Sequence, residues 1–479
     1  MLISIFRDRE HPFWVLLQQF ISRGFVGLKF LILARILGPH SIGLVSVALV
    51  SLAIVESVTQ LGIMETVVQR KEELRRKELD AVWTLQFFRG IIIGTVMFLL
   101  SPLLAKIFGS PNSLNLLYTI ALVPIISNSI SIGLYQNLRK KNFKTVSIIE
   151  LSTVILDLFL SIIFVKVLNS PIGVILGQII SQIFKVSSSH IIFKTKPYIC
   201  IDMKLIKDIN SYGKWIWANS ISSLILNQFD KVLASRFLGP TTLGYYQMSQ
   251  KFTQMSLADV SFAIGQYHFP IFSKLNRERS VYLSKAFFNM FYLILGLSIS
   301  TSIFVYTNSE LIISLALGHK WMSMIPLLKL MLLSACLAAV MNVFVVFLRS
   351  IGKPNIVTIS SYIQLICYIP LAIIGVSTFK EFGLVIANIV ALIIVNVILF
   401  INSIRNISSK MDINIIHRFF SILWALPIAT VGLIFNTQNL IVFIVSSLIY
   451  FPLVIKQLLM LRTTILLSRE NIAREKVII

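Results

Sequence analysis

Ala34-Arg35-Ile36-Leu37-Gly38-Pro39-His40-Ser41-Ile42-Gly43 returns 201 residues later as Ser235-Arg236-Phe237-Leu238-Gly239-Pro240-Thr241-Thr242-Leu243-Gly244. Both copies fit R-x-L-G-P-x-x-x-G. Taken alone, each reads as a tight turn between two helices. Gly and Pro end the first helix, Pro cannot continue it, and Arg sits where it can meet the helix end and the membrane interface. The duplication carries the information. Six apolar spans separate the copies, an even number, so both lie on the same side of a membrane. The repeat is therefore parallel: two six-helix lobes related by an axis along the membrane normal.

The surrounding composition agrees. The chain has 479 residues, 56% hydrophobic and 13% charged, with 43 Lys+Arg against 20 Asp+Glu and a net charge of +23. Soluble domains carry about a quarter charged residues, so a soluble globular chain and a disordered one are both excluded. In so apolar a chain the positive charge points to loops beside a membrane and not to nucleic acid. The three cysteines, Cys200, Cys336 and Cys367, form neither a disulfide framework nor a metal-ligand spacing.

A helix needs about 20 mostly apolar residues to cross the hydrocarbon core, and about 14 such runs occur. They are 12–37, 41–68, 80–108, 113–136, 146–168, 171–193, 211–237, 241–269, 284–307, 322–348, 355–376, 383–403, 416–435 and 438–461. The expected fold is all-α and polytopic. An N-lobe spans 1–193, a basic connection 194–210, a C-lobe 211–403, and a two-helix appendix 404–479. The charged stretch Arg7 to His11 precedes the first span without a small-residue cleavage site, so a retained helix is expected, not a signal peptide. Connections alternate between short, nearly uncharged turns and basic ones such as Arg70 to Lys77 and Arg139 to Lys144. The basic side with both termini holds 29 of the 43 cations, six lie opposite, and eight fall within spans. The positive-inside rule then places both termini in the cytoplasm.

Several stretches resemble a known family. Ala34 to Pro39, Gly62-Ile63, Leu138 to Phe143, Tyr212-Gly213-Lys214, Asn227 to Asp230, Leu238-Gly239-Pro240 through Gly244-Tyr245, and Phe269-Pro270 together are similar to the polysaccharide-synthesis branch of the MOP exporters. The resemblance covers roughly residues 12–400. It implies a Wzx-like, O-antigen-type flippase of lipid-linked oligosaccharides with V-shaped lobes and cytoplasmic termini. The last two spans match less distinctly.

A charge at the bilayer centre costs about 2.5–3.5 kcal/mol on insertion scales, so each needs a reason. The intramembrane cations are Arg23, Lys29, Arg89, Lys185, Lys214, Lys231, Lys251 and Lys329, and the deeper acids are Glu56, Asp157, Asp230 and Asp259. On the seventh span, Asn219, Ser223, Asn227 and Asp230 are spaced 4, 4 and 3 apart and share one face. On the eighth, Gln247, Gln250, Lys251, Gln254 and Ser261 form a comparable stripe, with Asp259 beside it. Such stripes face each other or water, lining a cavity, or they hydrogen-bond between helices. Arg23 and Lys29 lie about 120° apart around the first helix. They cannot both face a cavity centre, and one can pair with Glu56 or Asp157.

Flipping a lipid-linked glycan requires fixed positive charge to replace lost phosphate hydration, and amides or hydroxyls to meet the sugar. Arg23, Lys29, Arg89, Lys231 and Lys251 are the expected anion contacts. Asn219, Ser223, Asn227, Asp230, Gln247 and Gln254 are the expected polar lining. Glu56, Asp157 and Asp259 are the candidate proton or sodium sites, since burial favours a protonated carboxyl; pairing with Arg23, Lys29 or Lys251 is the alternative. The lack of a Walker motif speaks against ATP hydrolysis by the chain itself. No catalytic constellation, cofactor or metal site is expected, and no nucleic acid. The expected partners are a polyprenyl-linked oligosaccharide, the bilayer, a coupling proton or sodium ion, and a glycan polymerase with its assembly proteins. The expected location is the cytoplasmic membrane of a bacterium or archaeon. Three other readings compete. A membrane glycan polymerase or ligase lacks a catalytic loop. A multidrug exporter of the same superfamily fits poorly, because the surplus of intramembrane cations argues against cationic cargo. A non-transporting scaffold leaves the polar stripes unexplained.

Overall fold

The computed structural model describes residues 13–60, 75–195, 197–278, 282–407 and 443–455, together with Ile63, Gln457 and Leu459. The span expected at 416–435 lies outside them. All regular elements among the described residues are helices, and seven of these are long and apolar enough to cross a membrane. The chain divides into two compact units, Met1–Gly244 and Tyr245–Ile479.

In the first unit α1 (Phe13–Leu37) and α2 (Pro39–Val58) are followed by α3 (Arg76–Ile107). The short helices α4 (Leu114–Ile120), α5 (Leu122–Ser127) and α6 (Gly133–Arg139) come next, then α7 (Phe143–Leu168) and α8 (Ile172–Phe193). Where one span is expected over 113–136, the chain is broken. Pro124 interrupts hydrogen bonding near Ala121, and side chains of Ser127, Asn128 and Ser129 take up carbonyls at Pro124 and Ile125. Local side-chain bonds of this kind compete with helix continuation.

Small residues set the helix contacts. Gly173 and Gly177 form a GxxxG pair on α8, and a Cβ at either would strike the α7 backbone near Val165 or Ser161. Gly90 and Gly94 do the same on α3, against Pro124, Asn128, Ala121 and Ile125. In lipid, close backbone approach replaces the hydrophobic drive for packing. Gly177→Leu is expected to cost about 1–3 kcal/mol through overpacking, read as a lowered Tm of the purified protein, with Gly177→Ala losing less.

The duplicated motif turns the chain twice in the same way. Gly38 adopts φ 82°, ψ 174° and Gly239 φ 84°, ψ 172°. That region is essentially restricted to glycine, which is why both copies carry Gly before Pro. Gly239 divides α9 (Met203–Thr253) into arms of 203–238 and 240–253.

The second unit continues through a π-helical turn, Gln254–Ala258, into α10 (Asp259–Arg277), α11 (Tyr282–Thr307), α12 (Ser309–Ala316), α13 (Ile325–Ser350) and α14 (Pro354–Arg405). Phe272, Phe287, Phe344 and Phe347 form its buried core with Leu293, Val343 and Val395. α14 folds back on itself at Lys380 (φ 53°), with Gly375 and Gly383 in backbone contact across the hairpin. The helix 443–455, here α15, is bonded along α11. Asn308 Nδ2 donates to Ser446 Oγ at 2.9 Å, Thr301 and Tyr450 hydroxyls lie 2.9 Å apart, and Phe304 stacks on Tyr450 at 4.5 Å. The described part of the expected appendix is thus fastened to its unit by polar bonds.

Candidate transport site

The charged residues expected inside spans fall into three settings. The first is a buried ion pair. Lys29 on α1, 7% exposed, places Nζ 2.7 Å from both Oδ1 and Oδ2 of Asp157 on α7. Ser161, one turn further along α7, donates its hydroxyl to Asp157 Oδ1 at 3.2 Å. Of the two acids considered as partners for the first helix, Asp157 is engaged by Lys29. Arg23, six residues back on another face, is exposed.

The second setting is a helix end. α2 stops at Val58, and Arg89 of α3 donates to carbonyls at its end. Nε donates to the Thr59 carbonyl at 2.8 Å and Nη2 to the Glu56 carbonyl at 3.2 Å, while Nη1 reaches Asn128 Oδ1 at 3.2 Å. A cation at a helix C-terminus also meets the negative end of the macrodipole. Charged hydrogen bonds contribute about 1.5–3 kcal/mol each. Arg89→Ala is therefore expected to lower stability by about 2–4 kcal/mol, and Arg89→Lys to recover only part of it; thermal unfolding in detergent measures both. Glu56 itself is half-buried on α2.

The third setting is the polar face of α9. Ser223 and Asn227 are exposed, and Asn227 Nδ2 donates back to the Ser223 carbonyl at 2.7 Å. One turn on, Asp230 and Lys231 are buried. Lys231 Nζ donates to the Asn227 carbonyl at 2.7 Å and to Gln228 Oε1 at 3.1 Å, and its backbone N–H donates to Asp230 Oδ1 at 2.9 Å. Asn219 lies on the same arm, but its side chain falls outside the description.

The second unit adds a face that the α-helical period alone does not give. The π turn at Gln254–Ala258 closes with the Asp259 N–H on the Gln254 carbonyl. It acts as one extra residue in the helix, so everything beyond it rotates back by about 100°. Gln247, Lys251 and Gln254 already share a face. With the extra residue, Asp259 swings onto that face, about 20° from Lys251. Ser261 turns away and is buried, donating to the Ala339 carbonyl at 2.9 Å. Gln254 is exposed, Gln247, Lys251 and Asp259 half-buried. The sequence reading places Ser261 on the stripe and Asp259 beside it; the π turn exchanges them. No residue type in Gln254-Met255-Ser256-Leu257-Ala258 announces such a turn.

The turns of the duplicated motif meet each other. A Cβ at Gly43 would strike the Pro240 carbonyl, and a Cβ at Gly244 the Pro39 carbonyl. Since Gly244 and Pro240 are Gly43 and Pro39 shifted by 201, the contact is reciprocal, as across a two-fold axis. His40 Nδ1 and Thr241 Oγ1, again one repeat apart, lie 3.2 Å from each other. Beside this clasp Arg236 Nη1 donates to the Lys106 carbonyl at 2.6 Å and Ser235 Oγ to the Phe108 carbonyl at 2.8 Å. The motif arginine of the second copy therefore serves the end of α3. At the other end of the first arm of α9, Trp217 Nε1 donates to the Val58 carbonyl at 2.7 Å.

A family model described as "Polysaccharide biosynthesis protein" matches residues 32–326, well over half of the chain. The chain belongs to the polysaccharide biosynthesis protein family. As a member it is 24% identical over 291 residues to the teichuronic acid biosynthesis protein TuaB of Bacillus subtilis, a match covering 60% of this chain and 59% of TuaB. It is 22% identical over 367 residues to the lipopolysaccharide biosynthesis protein WzxC of Escherichia coli, covering 76% of this chain and 74% of WzxC. Its fold is similar to that of the lipid II flippase MurJ, a structure solved in an inward closed conformation. The TM-score is 0.75 at 17% identity, with 92% of this chain and 97% of MurJ covered. The family match agrees with the polysaccharide-synthesis membership that the motif resemblance implies.

Proposed function

We propose that this protein translocates a lipid-linked oligosaccharide, carried on a polyprenyl phosphate or pyrophosphate, from the inner to the outer leaflet of the cytoplasmic membrane for surface polysaccharide assembly. It does so by alternating access of the two repeats, residues 1–193 and 211–403, within about 14 spans and with both termini cytoplasmic. It is a transporter and not an enzyme. The observation that carries the reading is the accessible polar faces within apolar helices: Ser223 and Asn227 on α9, and Lys251, Gln254 and Asp259 around the π turn. Polar groups at such depth mark a path and not a lipid-facing surface.

Arg23 and Lys251 serve as the principal anion contacts, since both remain accessible along their helices. Lys29 and Arg89 hold helices in register, Lys231 ties down the adjoining turn of its own helix α9, and all three act on the substrate through the shape of the path. Glu56 and Asp259 are the acids placed to take up a proton or sodium ion, and Asp157 holds Lys29. Membership beside WzxC, named for lipopolysaccharide biosynthesis, and TuaB, named for teichuronic acid biosynthesis, favours a glycan cargo over small drugs. A glycan polymerase and assembly proteins receive the product.

Complementation of a flippase-null strain separates the two groups. Arg23→Gln and Lys251→Gln should each abolish complementation at unchanged membrane abundance. Lys29, Arg89 and Lys231 neutral variants should lose activity together with stability. Full activity of all five neutral variants contradicts the reading.

A further inference from the structure

Residues 197–202, Pro197-Tyr198-Ile199-Cys200-Ile201-Asp202, form a segment without regular secondary structure between α8 and α9. It exposes Tyr198, Ile199 and Ile201 at 63%, 70% and 66%, an unusual concentration outside a span. Yet its backbone is fastened to α3. The Tyr198 N–H donates to Asp80 Oδ1 at 3.4 Å, and the Cys200 N–H donates to Thr84 Oγ1 at 3.0 Å. The Thr84 hydroxyl in turn donates to the Asp80 carbonyl at 2.7 Å and lies 3.4 Å from the Tyr198 carbonyl. The Arg76 guanidinium stands 6.0 Å from the centre of the Tyr198 ring. Arg75 and Lys77 adjoin Arg76 at the start of α3, and Lys194 stands at the end of α8 three residues before the segment; all four are exposed.

The segment starts where α8 ends and lies on the first turns of α3, both membrane-spanning. Its depth is therefore that at which the chain leaves hydrocarbon. Tyr and Ile interleaved with Arg and Lys is the composition of a headgroup-level anchor, and the charge complements phosphatidylglycerol-type headgroups. Apolar side chains this exposed are disfavoured in water, while a fixed backbone removes the ordering cost of presenting them. We propose that residues 197–202 are a preorganised strap that docks on the anionic lipid headgroups of the bilayer. Asp80 and Thr84 hold its backbone, and Arg75, Arg76, Lys77 and Lys194 supply the lipid selectivity.

The test uses the full chain in nanodiscs, in a Cys200→Ser/Cys336→Ser/Cys367→Ser background, with bimane on Ile199→Cys or Ile201→Cys. Both label sites are exposed, so the label does not challenge folding. Quenching by headgroup-proximal doxyl-phosphatidylglycerol should exceed that by doxyl-phosphatidylcholine, about fivefold for each cation engaged. Arg75→Gln, Arg76→Gln and Lys77→Gln should remove this preference stepwise. Aqueous iodide should quench weakly. Strong quenching by iodide alone would place the strap in water or leave it for a protein partner, and equal quenching by both lipids would remove the anion selectivity; either result overturns the proposal.

Discussion

Gly43→Val together with Gly244→Val should reduce transport on the order of a hundredfold while the protein still reaches the membrane. Each glycine leaves room only for the carbonyl of the opposite proline, Pro240 or Pro39, and any Cβ collides with backbone that has no rotamer to yield. Overpacking of this kind costs about 1–3 kcal/mol at each site, and the two sites bear on one contact, so their effects combine. If the clasp closes one side of the path during the cycle, wedging it open depletes the closed state by the same free energy; about 1.4 kcal/mol is a factor of ten. The single variants should each lose about tenfold. His40→Cys/Thr241→Cys joined by a short bis-methanethiosulfonate cross-linker makes the converse case: transport stops when the clasp is tied shut and returns when dithiothreitol reduces the two mixed disulfides. Unchanged transport in the double valine variant would mean that the two turns merely touch.

Lys29→Ala is expected to destabilise the protein by about 3–5 kcal/mol, because it leaves Asp157 without its counter-charge in a low-dielectric setting, with only the Ser161 hydroxyl bonded to it. Asp157→Ala should do comparable damage by stranding Lys29. The double substitution Lys29→Met/Asp157→Leu should restore most of the stability, since an apolar pair of similar volume avoids both desolvation penalties. Transport then distinguishes two roles. If the pair only fastens α1 to α7, the double variant transports nearly as well as the parent. If Lys29 meets the substrate phosphate during the cycle, the double variant is stable and inactive. Thermal unfolding and translocation measured on the same preparation read both quantities, and the present geometry predicts the first outcome.

How far the residues foretell these features differs from one to the next. The parallel repeat is legible because Gly and Pro mark both turns, and the matching Gly38 and Gly239 torsions show why no other residue could replace the glycine. That the two turns touch is a tertiary fact, invisible to a comparison of each copy with the other. Helical spacing finds Ser223 and Asn227 on an exposed face, because an uninterrupted helix preserves phase. It misplaces Ser261 and Asp259, because one extra residue per turn shifts phase without a compositional sign. Charge placement offers Glu56 and Asp157 as candidate partners for the first helix, and packing of α1 on α7 brings Asp157 to Lys29. The break within 113–136 was written in Pro124 and the Asn128-Ser129 pair, yet overall hydrophobicity masks it. The small-residue pairs Gly90/Gly94 and Gly173/Gly177 were equally readable as close-packing faces.

Translocation by this protein is measured in proteoliposomes loaded on one leaflet with a polyprenyl pyrophosphate-linked oligosaccharide. The glycan reaching the other leaflet is scored by enzymatic release, with and without proton and sodium gradients. A lipid-linked glycan flippase of this design gives protein-dependent translocation that is lost on Arg23→Gln/Lys251→Gln and on wedging the Gly43–Gly244 clasp. Equal glycan appearance in empty liposomes, or undiminished translocation by both variants, would contradict it.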